Sequence, residues 1–192
     1  HTGKTAKKVV PFTSATKYSG VVFDETAYVL GAPEFVLRED YEKYSQEIKN
    51  YAGRGYRVLV FGTYDGELEG RKLTEKVTPF AYVLMANPVR KEAPETFAYF
   101  AEQGVEVKVI SGDNPLTVSE VAKEAGIPSA EEYVDATTLT TESDVERAIA
   151  KYTVFGRVTP AQKRQFVQAL KAQGRTVAMT GDGVNDVLAL KD

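Results

Sequence analysis

Cysteine is absent from the 192 residues, and histidine occurs once, as His1. The first absence excludes a disulfide framework, a thiol nucleophile and thiolate-bound zinc or iron–sulfur centres. With a single histidine at the terminus, acid–base and metal chemistry falls to carboxylates, hydroxyls, lysine and arginine, a set that suits hard cations and phosphate. Long hydrophobic runs are also missing. The longest, residues 80–86, is far too short to span a bilayer, and nothing at the start reads as a signal peptide, so any membrane-spanning part is expected elsewhere. There is no excess of positive charge either: 24 Lys+Arg stand against 27 Asp+Glu, for a net charge of −3. No basic run exceeds the two residues of Lys7-Lys8, which leaves nucleic acid and anionic membranes without a footprint. What remains is the composition of a soluble globular protein, 43% hydrophobic and 27% charged, long enough for one large or two small domains with a real core.

The chain changes rhythm near residue 86, which predicts two domains, 1–86 and 87–192. In the first, 9–12, 18–23 and 27–30 are β-branched or aromatic runs, and Asp24-Glu25-Thr26 between the last two reads as a hairpin turn. Tyr41, Tyr44, Ile48 and Tyr51 fall at helical spacing behind Asp40, a candidate N-cap, with Gly53 or Gly55 as the stop. Residues 57–64 and 80–86 return to strand. An antiparallel sheet with helices on one side follows. In the second half, strands over 105–110, 153–155 and 176–179 alternate with helices over 91–103, 115–125, 143–151 and 160–173, the pattern of a parallel sheet with helical crossovers. Ser143-x-x-Glu146 and Thr159-x-x-Gln162 both fit a capping box, and Pro160 sits where a first-turn proline is harmless.

In an open parallel sheet, ligands bind beyond the carboxyl ends of the strands. The residues placed there are Asn87-Pro88-Val89-Arg90, Ser111-Gly112-Asp113-Asn114 and Thr180-Gly181-Asp182-Gly183-Val184-Asn185-Asp186. Ser111 and Gly112, between a strand end and a helix start, offer a hydroxyl and free N–H groups to a phosphoryl group. In the last segment two glycines let the backbone approach a ligand, while Asp182, Asn185 and Asp186 crowd oxygen donors together. Such carboxylates repel one another unless a cation sits among them, and Mg²⁺ is the ion that combines few carboxylates with phosphate oxygens. Lys163, near the start of a capped helix, offers a compact positive charge to the same phosphate.

These residues have a family resemblance. Thr180 to Asp186, followed by Ala189-Leu190-Lys191-Asp192, resembles the hinge signature of P-type cation-transporting ATPases. Five companion motifs occur in the family's order. Gly31-Ala32-Pro33-Glu34 resembles its KGAPE element, Gly55 to Leu59 its nucleotide-binding strand, and Asn87-Pro88-Val89-Arg90 its DPPR element. Ser111 to Asn114 resembles its TGDN element, and Phe155 to Lys163 its FARV-P-xxK segment. The resemblance implies an α+β nucleotide-binding domain and a partial, Rossmann-like parallel sheet of the haloacid-dehalogenase type, with ATP and Mg²⁺ as ligands. It implies that Phe12 stacks on adenine, that Lys17 and Gly31 line the nucleotide pocket, that Arg57 meets the phosphates and that Arg157 reaches the nucleotide. Ser111, Gly112 and Lys163 would hold the transferred phosphoryl group, with Asp113 a further catalytic candidate of the same motif. Asp182 would bind the metal, supported by Asn185 and Asp186. The partners implied are ATP and the remainder of a pump, its transmembrane and actuator domains, at the cytoplasmic face of a membrane.

Three departures stand out. Leu30 replaces the KGAPE lysine, Asn87 replaces the first aspartate of DPPR, and the DKTGT segment with the phosphorylated aspartate does not occur. The expectation is therefore a fragment that starts inside the nucleotide-binding domain and lacks a central strand. Two alternatives compete. Val21-Val22-Phe23-Asp24 has the apolar-run-then-aspartate form of a dehalogenase-type nucleophile, which would make the chain a phosphohydrolase in its own right. The other is an ATP-binding module that turns nothing over in isolation.

Overall fold

The computed structural model describes residues 5–86, 88–181, 183 and 186–191. It divides into two compact units, one formed by His1–Ala52 with Tyr56–Ala86 and the other by Gly53–Gly55 with Asn87–Asp192.

The first unit is a five-stranded antiparallel sheet in the order β1 to β5: β1 Lys8–Val10, β2 Tyr18–Phe23, β3 Thr26–Gly31, β4 Arg57–Tyr64 and β5 Val77–Met85. Its ladder grows from local pairings. Phe23 pairs with Thr26 across a tight turn in which Asp24 has φ of 54°, a conformation aspartate tolerates better than most residues. Strict alternation along β4 sends Val58, Val60 and Tyr64 inward. There they meet Val36 and Leu37 of α1 (Pro33–Leu37) and Ile48 of α2 (Tyr41–Ala52). Both helices thus cover one face. The opposite face carries an aromatic ladder, with Phe61 stacked 6.0 Å from Tyr28 and edge-on to Phe80 at 4.7 Å. Tyr41, Tyr44 and Tyr51 lean on the core as their spacing predicts. Asp40 does not start the helix: a 3₁₀ turn over Arg38–Asp40 runs straight into α2, and the Asp40 carboxylate takes the Lys43 ammonium at 2.5 Å.

The second unit holds a three-stranded parallel sheet in the order β6-β8-β7, where β6 is Val109–Ile110, β7 Tyr133–Asp135 and β8 Val154–Gly156. Helices α3 (Ala93–Glu102), α4 (Pro115–Glu124), α5 (Glu142–Lys151), α6 (Pro160–Ala172) and α7 (Val187–Leu190) complete it. Alternation along β8 divides the core between two sides. Phe155 joins Val145, Ile149 and Phe166 on one, and Val154 joins Ala122, Ala125, Ile127 and Ala130 on the other.

Three expectations for this unit need correction. The segment 176–179 is not a strand, and 105–110 narrows to its last two residues. Among the described residues β6 pairs with β8 alone, so its other edge and the 176–179 backbone have no strand between them to hydrogen-bond. Apolar alternation without a neighbour does not make a sheet. The third strand is instead Tyr133–Asp135, too short for its pattern to register. Finally, α5 is capped by Thr141 with Asp144, two residues before the Ser143/Glu146 reading. That choice gives Asp144 the backbone N–H groups of Thr140 and Thr141 as well as Arg147. Hydrogen bonding to Thr141 leads the set that pulls its carboxyl down to about 2.

Candidate functional site

The turn that follows β6 is locked to the one that follows β8. Ser111 N–H donates to the Phe155 carbonyl at 2.9 Å, Val158 N–H to the Ser111 carbonyl at 2.9 Å, and Arg157 N–H to the Asp113 carbonyl at 2.7 Å. The Ser111 hydroxyl accepts from Asp113 N–H at 3.1 Å. Asn114 caps α4 through Leu116 N–H at 3.0 Å, ahead of Pro115 in the first turn. Gly156 is required here, because a Cβ on it would lie 2.3 Å from the Pro115 Cα. Arg157, at φ of 54°, turns its guanidinium to Asp135 at 2.8 Å.

The capping box Thr159/Gln162 forms as the spacing predicts, with Gln162 N–H to the Thr159 hydroxyl at 3.2 Å and Thr159 N–H to Gln162 Oε1 at 3.1 Å. Gln162 does more than its sequence position indicates: its Nε2 donates to the Ala136 carbonyl at 2.7 Å and braces the start of α6. The next residue, Lys163, places its ammonium 2.5 Å from Asp186 Oδ1, both side chains being close to nine-tenths buried. Gly183 N–H donates to the other Asp186 oxygen at 3.1 Å. A Cβ on Gly181 would fall 2.7 Å from that same oxygen, so only a glycine lets the backbone at 181 come this close to the carboxylate. The Lys163 hydrogen bond is the main reason the Asp186 carboxyl sits below the ordinary aspartate range, against a smaller opposing effect of burial.

Ser111, Gly112, Lys163, Gly181 and Asp186 line a single groove of about 950 Å³. Its floor is apolar, from Ile110, Val167 and Leu170, and the 175–181 segment forms its far wall. Arg175 pairs with Glu106, which also holds Lys108 at 2.6 Å, so the far wall is tied at its start to the segment that leads into β6. Asp113 is not among the residues that line this groove; its backbone bonds to the Ser111 hydroxyl and to Arg157 N–H. Asp182 and Asn185 lie outside the described residues, as does Asn87. Among the described residues there is no group of three or more His, Cys, Asp or Glu placed to hold a metal ion.

In the first unit, Lys17 and Gly31 are in contact: a Cβ on Gly31 would lie 2.5 Å from the Lys17 carbonyl oxygen. Phe12 is 55% exposed just before the turn that carries Lys17. Arg57 opens β4, on the same sheet face as Leu30 and Phe61. Four residues separate it from Phe61, the partner of Leu30, which is about 13 Å along a strand. Asp24 lies in the exposed β2–β3 hairpin of an antiparallel sheet, not at the carboxyl end of a parallel strand, which removes the geometry a dehalogenase-type nucleophile needs. Of the residues singled out by motif in 111–114 and 157–163, Ser111, Gly112 and Lys163 come together on the groove. The supporting Asp135 and the second bond of Gln162 were not legible in the sequence, since nothing local distinguishes them.

The chain matches the family profile described as haloacid dehalogenase-like hydrolase over residues 7–192. It is 43% identical over 192 residues to the calcium-transporting ATPase CtpE of Mycolicibacterium smegmatis, covering 99% of this chain and 24% of that protein. It is 39% identical over 187 residues to the probable cation-transporting ATPase exp7 of Streptococcus pneumoniae, covering 95% of this chain and 23% of that one. With the magnesium-transporting ATPase, P-type 1, of Salmonella typhimurium it shares 34% identity over 152 residues, 75% of this chain and 17% of that protein. The chain thus spans about a quarter of the length of the first of these relatives. No helix among the described residues is long and apolar enough to cross a membrane. With its mixed α/β architecture and this match over nearly its whole length, the chain belongs to the haloacid dehalogenase-like hydrolases, and it is similar over that length to a segment of P-type cation-transporting ATPases.

Proposed function

We propose that this chain is the nucleotide-binding and phosphorylation portion of a pump that couples ATP hydrolysis to cation transport through an aspartyl phosphate, residues 1–86 serving the nucleotide and 87–192 the phosphoryl group. The observation that carries this is the convergence of the Ser111-Gly112 turn, the Lys163 side chain, Gly181 and Asp186 on one groove. Phosphoryl transfer asks a protein for alignment and charge neutralisation rather than covalent work. A buried ammonium and a rigid hydroxyl-bearing turn at a sheet edge supply both.

In the reaction, a carboxylate oxygen attacks the γ-phosphorus of ATP, the bond to the β–γ bridging oxygen breaks, and ADP departs with that oxygen's electrons. Ser111 and Gly112 would orient the transferred group, and Lys163 would offset the charge on its oxygens. Water later cleaves the acyl phosphate. Asp186 is held by Lys163 and the Gly183 N–H; by the family resemblance Asp182 would hold Mg²⁺, and the bound ion would neutralise further phosphoryl charge. On the nucleotide side Phe12 would stack on the base, with Lys17 and Arg57 as cationic contacts. The accepting aspartate belongs to an Asp-Lys-Thr-Gly-Thr segment that this sequence does not contain. By itself, then, the chain binds and does not turn over. The relatives named as calcium transporters make Ca²⁺ the proposed cargo, and the cytoplasmic face of a membrane the proposed place.

The test is complementation. A synthetic peptide with an apolar stretch ahead of Asp-Lys-Thr-Gly-Thr is added to the chain, and amide hydrogen exchange is followed by mass spectrometry. Residues 109–112 and 176–181 gain protection if the groove is the seat of the phosphorylated strand. Unchanged exchange at saturating peptide refutes that assignment. In parallel, Phe12→Ala should weaken ATP binding by roughly 1–3 kcal/mol, the usual worth of base stacking on an aromatic ring; an unaltered affinity removes Phe12 from the pocket.

A further inference from the structure

The main chain of Lys17, a proposed nucleotide contact, is held by hydrogen bonds at both its N–H and its carbonyl. Its N–H donates to the Thr13 carbonyl at 2.9 Å, and its own carbonyl accepts from Ala32 N–H at 2.9 Å. It adopts φ of 58°, a left-handed conformation that a lysine holds only where its surroundings impose it. The turn behind it is closed by two hydroxyls: Thr16 N–H donates to Thr13 Oγ1 at 3.1 Å, and the two threonine oxygens lie 2.6 Å apart. Thr16 is buried, although it sits in a surface turn.

Gly31 completes the seat. It is paired with Tyr18 across β2 and β3. A Cβ there would fall 2.5 Å from the Lys17 carbonyl oxygen and 2.6 Å from the Tyr18 Cβ. Every other residue type would push the Lys17 peptide off the sheet. Tyr18, fully buried and bonded through its hydroxyl to the Arg71 carbonyl at 2.7 Å, prevents the turn from sliding along the strand to relieve that clash.

We propose that Thr13, Thr16 and Gly31 are positioning residues for Lys17: the hydroxyl pair and the missing side chain hold its backbone in the one conformation that presents the ammonium to the nucleotide. On this account Gly31 acts through Lys17 and not by touching the ligand. The proposal rests on the reading that Lys17 contacts ATP.

The experiment is a calorimetric titration of the full 192-residue chain with ATP, using Lys17→Ala, Thr13→Val, Thr13→Ser and the Lys17→Ala/Thr13→Val pair. Thr13→Val keeps the side-chain volume at an exposed position and removes the hydroxyl, with both its bond from Thr16 N–H and its bond to the Thr16 hydroxyl. It should weaken ATP binding by roughly three- to tenfold, the worth of about one hydrogen bond, while Thr13→Ser keeps the affinity within about twofold. In the Lys17→Ala background Thr13→Val should bring no further loss, a result that a merely structural role would not give. If Lys17→Ala weakens binding but Thr13→Val does not, or if the two losses add in full, the positioning role is refuted and the nucleotide reading survives. If Lys17→Ala leaves the affinity untouched, or the unaltered chain binds no ATP, the reading itself fails and the proposal goes with it.

Discussion

The two units solve the problem of building a sheet in opposite ways. In the first, consecutive strands pair with one another from β1 to β5, and the β2–β3 pairing extends over six residue pairs from one short turn. In the second, β6 and β7 each match β8 over two and three positions, and every pairing is separated by a helix. An antiparallel hairpin closes its ladder over a few residues, whereas each parallel strand waits for a neighbour delivered from far along the chain. The first sheet is therefore a property of its own sequence, while the second depends more heavily on the helices that clamp it.

That contrast can be broken most directly at Phe166, fully buried and 4.7 Å from the Phe155 ring. Phe166→Ala should cost the second unit about 4 kcal/mol. Hydrogen exchange should rise throughout 109–172 while the β2–β4 amides keep their protection; equal loss in both units would mean that they do not unfold separately. Next comes the Lys163–Asp186 pair. Removing one partner of a buried pair strands the other, so Asp186→Asn should destabilise the second unit by about 2 kcal/mol at neutral pH. The sign of the pH dependence follows from the lowered Asp186 carboxyl. Its contribution is complete above the ordinary value of 3.8 and is lost as pH falls below that value through the folded one. An acid titration of exchange at 163–170 should show this loss in the unaltered chain and not in the variant.

Gln162→Glu sharpens the comparison at smaller scale. Glutamate preserves the acceptor half of the capping box but has no N–H₂ for the Ala136 carbonyl, 2.7 Å away. About 1 kcal/mol should go from the second unit, seen as a lower thermal midpoint, whereas a cap that was all that mattered would leave it unchanged. The smallest effect belongs to the open face of the first sheet. Phe80 is 57% exposed, so Phe80→Ala should shift stability by no more than about 0.5 kcal/mol. A loss of several kilocalories there would show that the aromatic face carries more of the fold than its exposure indicates.

Legibility in the sequence follows the same division. The hairpin at Asp24-Glu25, the alternation of β4 and the tyrosine stripe of α2 are encoded by neighbours and can be read without the fold. So can Thr159 and Gln162, because a capping box is a local device. The strand expected over 176–179 does not form, since a short apolar run states a preference that only a partner can realise. Thr141 beat Ser143 because Asp144 could then collect more donors, a competition decided by geometry that two overlapping motifs do not reveal. At the site, Ser111, Gly112, Lys163 and Asp186 were recognisable by type and place. Asp135, one oxygen on Arg157 and the other on Thr137, was not, because a polar residue after a three-residue strand has no distinguishing pattern.

One contact described above sets how the second unit can move. Where Gly156 lies against Pro115 there is no room for even a methyl group, so the two turns beneath the groove mesh like gear teeth without backlash. A displacement of α4 hauls the Ser111 hydroxyl and the Arg157 main chain along together. Any rearrangement that separates them must first disengage this contact, which makes the meshed turns the stiff anvil of the groove.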